Sequence, residues 1–296
     1  MLSNPPPWPD GAACAAAVTF DVDSDSILHL EHPDDGHRRV GAQSWLRYDQ
    51  VAVPRIVELF ARLGLRQTFF VPSWCAERYP EVVETIAAGG HEVAAHGYLH
   101  ELAHTLEPER EQELIRRSAD ILERVAGRRP RGWRGPLYTF SDRTAEFLAE
   151  EGYAYHSGLM GDDVPYVLST SAGEIVELPV DWANDDWPQF ANTMDLDWRT
   201  PTRSPERGYE VFEAELDAAL TYGGLWIAVW HPFVSGRPSR LRRLEGLIER
   251  ARDRGAWFAP LEEIAAHVDG LRRSGRWSPR VDRLPYDGAP VRDPHG

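Results

Sequence analysis

No lysine occurs among the 296 residues; all 32 basic side chains are arginine, set against 47 acidic ones for a net charge of −15. A chain this acidic repels phosphate backbones and anionic lipid, which excludes nucleic acid and membrane surfaces as main partners. The missing lysine reads as a compositional bias rather than a functional device. Cysteine is almost absent too: Cys14 and Cys75 are too few for a disulfide scaffold or a thiolate zinc site, and both sit among apolar neighbours. The only early apolar stretch, 11–20, is ten residues long, follows Asp10 and runs into acids, and the first arginine is Arg38. That pattern fits neither a signal peptide nor a membrane span, so a cytoplasmic protein is expected.

Hydrophobic residues make up 42% and charged residues 27%, which allows a buried core and excludes wholesale disorder. After a proline-rich arm (1–10), short β-like runs at 15–22, 67–71, 91–95, 131–133, 153–156, 175–179, 225–230 and 256–259 alternate with amphipathic stretches. Helical periodicity marks 51–63, 80–88, 108–125, 142–150, 207–220, 240–252 and 261–268. About seven strand–helix units with no hairpin-rich section predict an α/β fold. The expected form is a distorted or incomplete (β/α) barrel of about seven parallel strands over 11–270, with a doubly wound open sheet as the alternative. Two stretches, 23–49 and 182–205, break the rhythm, and a tail rich in Arg, Pro and Asp occupies 271–296. Loops this long in a compact domain are usually functional or form contacts between subunits.

In a parallel barrel the reactive side chains sit where strands end. His96 and His100 are spaced i, i+4, which on a helical turn places both imidazoles on one face, able to grip one metal ion. Two histidines plus one carboxylate leave coordination positions open, as a catalytic zinc or similar divalent site requires. Asp21 and Asp23 are two apart, so on an extended strand they point the same way. Two carboxylates there repel unless a cation is present, and one serving as ligand while the other takes a proton is the economical division. Taken singly, each feature has a plain reading: a solvated acidic loop, a structural Arg134 ion pair, a His231-Pro232 strand end, and packing roles for Trp133, Trp182, Trp187 and Trp230. The other histidines, His29, His32, His37, His91, His104, His156, His267 and His295, carry no assigned role.

Taken in order, the strand ends are more specific. Thr19-Phe20-Asp21-Val22-Asp23, His96-Gly97-Tyr98-Leu99-His100, Trp133-Arg134-Gly135-Pro136-Leu137-Tyr138 and Trp230-His231-Pro232 resemble the motifs of the polysaccharide deacetylases (NodB homology, carbohydrate esterase family four). The resemblance spans about 15–265. Ala94-Ala95-His96-Gly97-Tyr98, Glu177-Leu178-Pro179 with Asp185-Asp186, and His231-Pro232 with Ser235-Gly236-Arg237-Pro238 are similar to an intracellular subgroup. That subgroup holds peptidoglycan deacetylases, cyclic imide hydrolases and deacetylase-type allantoinases.

The resemblance implies roles for individual residues. Asp23, His96 and His100 would hold a divalent metal, zinc first, with cobalt or manganese as alternatives. Asp21 would be the general base for a metal-bound water, with Arg134 keeping it ionised and oriented. The Leu137 N–H would help hold the oxyanion, beside Tyr138 and Trp182 on the substrate side. His231 would protonate the leaving nitrogen, supported by a carboxylate. Asp181, next to Trp182, matches the motif best for that support, with Asp185 and Asp186 as competitors. Val22 separates the two acids of the first motif, so the resemblance leaves the roles of Asp21 and Asp23 interchangeable. Gly97 stands where Ser or Thr usually supports the histidine loop.

The resulting expectation is a metal-dependent hydrolase of non-peptide carbon–nitrogen bonds that removes N-acetyl groups from an amino sugar. A ring-opening hydrolase of cyclic imides or ureides of the allantoin type is the alternative, and an inactive carbohydrate-binding protein the second. The partner is then a small-molecule or oligosaccharide substrate, with the long loops closing over the site, and the chain is expected to form a homo-oligomer, a tetramer by resemblance.

Overall fold

A computed structural model describes residues 2–286; His295 and the last ten residues of the predicted tail lie outside the described residues. The strands, in chain order, are β1 (Cys14–Asp21), β2 (Thr68–Val71), β3 (Glu92–Ala95), β4 (Gly132–Trp133), β5 (Tyr155–His156), β6 (Tyr166–Ser169), β7 (Glu174–Glu177), β8 (Asn192–Thr193), β9 (Trp198–Arg199), β10 (Leu225–Trp230), β11 (Ala256–Phe258) and β12 (Val281–Arg283). Seven of them form a continuous parallel wall in the order β10-β1-β2-β3-β4-β5-β7. Sequential neighbours, with a late strand returning beside the first, give barrel order and rule out the doubly wound alternative, whose strand order reverses at a switch point.

The barrel is incomplete. Between β7 and β10 the described residues make a single ladder contact, the bridge Asp185–Val229. β11 pairs with the first half of β1, on the edge where β2 pairs with its second half. Two features depart from the all-parallel expectation. β6 and β7 form an antiparallel hairpin, with β12 added beside β6, and β8 and β9 form a second, separate hairpin. Strands of two to four residues are too short to display a period, which is why the sequence did not reveal these pairings. The N-terminal arm is tied down: Trp8 is buried and donates its Nε1–H to the Gly223 carbonyl, and Asn4 bonds the Ser278 carbonyl. No described helix is long and apolar enough to cross a membrane.

Alternation along β1 explains how the wall serves the site. Cys14, Ala16, Val18 and Phe20 pack outward into the main apolar cluster, while Ala15 and Ala17 belong to the cluster that fills the barrel. The same inward register carries Thr19 and Asp21 toward the open end. Small interior residues (Ala15, Ala17, Ala94) leave room for Phe70, Tyr155 and a fully buried arginine, Arg134, whose guanidinium lies 4.0 Å from the Phe70 ring centroid.

Below the wall, His91 accepts the Gln67 N–H at its Nδ1 (3.2 Å), a bond that protonation would destroy. Burial, with Arg66 nearby, depresses its pKa to about 4. A depressed imidazole contributes stability that is full above the unfolded value of about 6.5 and is lost as pH falls toward 4. The fold should therefore lose about 2 kcal/mol between pH 7 and pH 5 through this residue. Denaturant melts of His91→Asn, whose side-chain oxygen can still accept the bond, should show a shallower loss over that interval; equal slopes would contradict the assignment.

Candidate active site

Asp21 closes β1, and Asp23 follows just past Val22. The chain then bends sharply at Ser24 (φ 47°), whose N–H is held by the buried carboxylate of Asp49 (3.0 Å). His96 follows β3, its N–H bonded to the Val71 carbonyl. The turn to His100 is not helical: Gly97 and His100 both have φ near +75°, so the i, i+4 spacing brings the two rings together through a loop. A side chain at Gly97 would be strained by that φ and would press on Pro136 at 3.1 Å. The support expected from Ser or Thr at this place comes instead from Glu101, whose carboxylate accepts the Tyr98 and Leu99 N–H groups (3.1 and 2.9 Å).

Asp23, His96 and His100 converge, with one potential ligand atom from each lying within 4.8 Å of the others. Asp23 Oδ1 is 3.6 Å from His96 Nε2, and Oδ2 is 3.6 Å from His100 Nε2. His96 Nδ1 donates to the Arg134 carbonyl (2.8 Å), so its Nε2 carries a lone pair, not a proton, toward Asp21 and Asp23. Burial holds His96 neutral, lowering its pKa to about 3, and holds His100 well below its ordinary value. Burial likewise raises Asp23 to about 7, against the opposing pull of His231. Asp23 Oδ1 is buried and meets no hydrogen-bond donor among the described residues. The His96 Nε2 lone pair facing the Asp23 carboxyl oxygen is unfavourable alone and is relieved by a proton on Asp23 or by a divalent cation. One carboxylate and two neutral imidazoles match the donor set of such an ion.

Arg134 binds on the other side of Asp21. Its Nη1 donates to Asp21 Oδ1 (2.6 Å) and Thr19 Oγ1 (2.8 Å), while Nε donates to the Ser157 carbonyl (2.8 Å). Asp21 is thus the acid clamped by arginine, and Asp23 the one shared by the imidazoles.

His231 lies across the cavity, with Nε2 3.5 Å from Asp23 Oδ2. Its partner is Asp186, which accepts Nδ1–H at 2.7 Å and the backbone N–H at 3.0 Å. Burial works against the imidazolium, but the charge and hydrogen bond of Asp186, with Asp23 and Asp185, raise the His231 pKa well above its ordinary value. Asp181 is not this partner. It is exposed and spends its carboxylate on the Ala183 N–H, opening the 3-10 turn Trp182–Asn184. That turn and the Asp185–Val229 bridge are what carry Asp186 to the end of β10.

Tyr138, Trp182 and Leu137 line the same cavity of about 210 Å³ as Asp21, Asp23 and both histidines. Tyr138 donates its hydroxyl to Asp185 and packs edge-on against Trp182, centroids 4.6 Å apart. Leu137 takes a left-handed conformation (φ 48°), and its N–H has no acceptor among the described residues. Trp187 also faces the cavity, whereas Trp133 and Trp230 belong to the core. The two arrhythmic stretches meet over it. Leu196 and Trp198, in the β8–β9 hairpin, form part of the cavity lining, and Asp195 at its tip is held by Arg39 (2.9 Å) and, through its carbonyl, by His32 (2.7 Å).

The family model described as polysaccharide deacetylase matches residues 34–156. A crystal structure from Mycobacterium smegmatis, assigned as a polysaccharide deacetylase, is 39% identical, covers 97% of this chain and 99% of its own, and superposes with a TM-score of 0.90. A peptidoglycan deacetylase of Helicobacter pylori is 26% identical over 298 residues, covering 88% of this chain and 97% of its own length. The PuuE allantoinase, 24% identical over 93% of this chain and 96% of its own, shares the fold with a TM-score of 0.79.

Replacing Asp186 with Asn removes the anion that holds the proton on His231 and should lower turnover by roughly 10²- to 10⁴-fold, the span that acid–base groups contribute, whereas Asp181→Asn should stay near wild type. Steady-state kinetics on the two variants checks this; equal effects would return the assignment to Asp181.

Proposed function

Because the chain belongs to the polysaccharide deacetylase family, we propose that it is a metal-dependent hydrolase of non-peptide carbon–nitrogen bonds that removes the acetyl group from an N-acetylated amino sugar. The observation that carries this reading is the meeting of Asp23, His96 and His100 in one small cavity, flanked by the Asp21–Arg134 pair and the His231–Asp186 pair. Asp23, His96 and His100 would hold the cation, zinc by their donor types with cobalt or manganese as substitutes. The ion would supply Lewis acidity and make water acidic enough to ionise near neutral pH.

The chain's own groups do the remaining work. Asp21, held in place by Arg134 and facing the cavity with Oδ2, takes the proton of the attacking water as the new C–O bond forms. The Leu137 N–H is free to donate to the oxyanion that develops on the carbonyl oxygen. His231, kept protonated by Asp186, gives its Nε2 proton to the nitrogen as the C–N bond breaks, so the products are a carboxylic acid and an amine. Tyr138 and Trp182 form the wall against which the substrate ring rests.

A second reading, ring opening of a cyclic imide or ureide, is favoured by one observation: the cavity is only about 210 Å³ and its lining includes the apolar Leu196 and Trp198. The same residues would act, with both products remaining on one molecule.

Purified protein loaded with Zn²⁺, Co²⁺ or Mn²⁺ should be assayed against N-acetylglucosamine oligomers and against cyclic imides. Hydrolysis is expected with one class, abolished by chelation and absent in His96→Ala. Activity that survives both treatments would contradict the metal mechanism.

A further inference from the structure

Glu177 and His156 lie opposite one another on β7 and β5, both fully buried, beneath the catalytic cavity rather than in it. Glu177 Oε2 accepts from His156 Nδ1 (2.6 Å), and Oε1 accepts from two successive backbone groups, the N–H of Gly158 (3.0 Å) and of Leu159 (2.9 Å). A carboxylate buried at such desolvation cost persists only where its hydrogen bonds are satisfied, and these bonds all fall on one short segment, 156–159. The segment has no slack, because a Cβ at Gly158 would lie 2.8 Å from His156 Cε1.

The residue inside that clamp is Ser157. Its carbonyl accepts Arg134 Nε–H (2.8 Å) and its hydroxyl accepts from Nη2 (3.2 Å), leaving Nη1 for Asp21 and Thr19. Arg134 also offers its own carbonyl to His96 Nδ1. An unbroken set of hydrogen bonds therefore runs from Glu177 through the 156–159 segment to the guanidinium that aims Asp21.

We infer that Glu177, through His156 and the 156–159 segment, is a positioning residue that fixes Arg134 and thereby the orientation of Asp21. The inference rests on the reading above in which Asp21, clamped by Arg134, takes the proton of the attacking water. It gives a physical task to the Glu177-Leu178-Pro179 motif and to His156, neither of which touches the reacting atoms.

The test is a double-mutant cycle on the metal-loaded enzyme with Glu177→Gln, Arg134→Lys and the double variant. Glu177→Gln keeps an oxygen for the Gly158 and Leu159 N–H groups but turns an amide NH₂ toward His156 Nδ1–H. It should lower kcat by roughly 10- to 100-fold, the cost typical of losing a supporting hydrogen bond, with KM and metal stoichiometry near wild type. Because it acts through Arg134, the double variant should be little slower than the more impaired single one. Ser157→Ala, which removes only the hydroxyl contact, supplies a milder measure of the same coupling should Glu177→Gln fold poorly, and it too should be non-additive with Arg134→Lys. Full additivity, or a loss seen only in melting temperature, would overturn the inference while Arg134→Lys stays impaired. Unchanged turnover in Arg134→Lys would instead overturn the proposed function of the Asp21–Arg134 pair, and this inference with it.

Discussion

The site depends on one electrostatic problem: a carboxyl group and two imidazoles that burial keeps neutral converge at 3.6 Å with water excluded from around them. Burial disfavours the charged form of each group, lifting Asp23 and depressing His96 and His100, so the cluster is poor at holding charge by itself and well suited to holding a cation. Around it the fold supplies fixed polar groups. The Arg134 carbonyl sets the tautomer of His96, Asp49 fixes the bend after Asp23, and Asp186 grips His231 twice. Preorganisation of this kind is what lets a few side chains act without paying for reorganisation during the reaction.

The barrel makes this possible by feeding separate strand ends into one opening. β1 ends in Asp21 and leads on to Asp23, β3 leads to the histidine loop, β4 to Arg134 and β10 to His231. No two of these motifs are close in sequence, yet a parallel wall brings all four to the same end. The gap between β7 and β10 has a use as well, since the chain that bridges it is the one that delivers Asp185 to the cavity and Asp186 to His231. The two long loops complete the enclosure by meeting above the site through Asp195, Arg39 and His32.

Much of this was legible in the sequence because strand-to-helix alternation and ordered strand-end motifs are local signals. The parallel wall of seven strands follows from the first, and the resemblance carried by the second pointed to His96 and His100 with one of Asp21 and Asp23. What was not legible required knowledge of where loops run. Asp181 precedes a tryptophan, as the motif suggests, but an Asx-type bond to Ala183 commits it to the turn, and only the bridge to Val229 reveals Asp186 as the partner of His231. The i, i+4 spacing of the histidines suggested a helical turn, whereas two left-handed residues build a loop that Glu101 supports. Glu177 shows the same limit: the motif was visible, but its connection to Arg134 passes through backbone groups that carry no sequence signature.

The central claim is that this cluster is a cation site. Its most direct test is anomalous diffraction at the zinc edge from crystals of the zinc-loaded protein. The account predicts one strong peak enclosed by Asp23, His96 and His100, with Asp21 still paired to Arg134. Absence of a peak there, or a peak among Asp185, Asp186 and His231 instead, would contradict it.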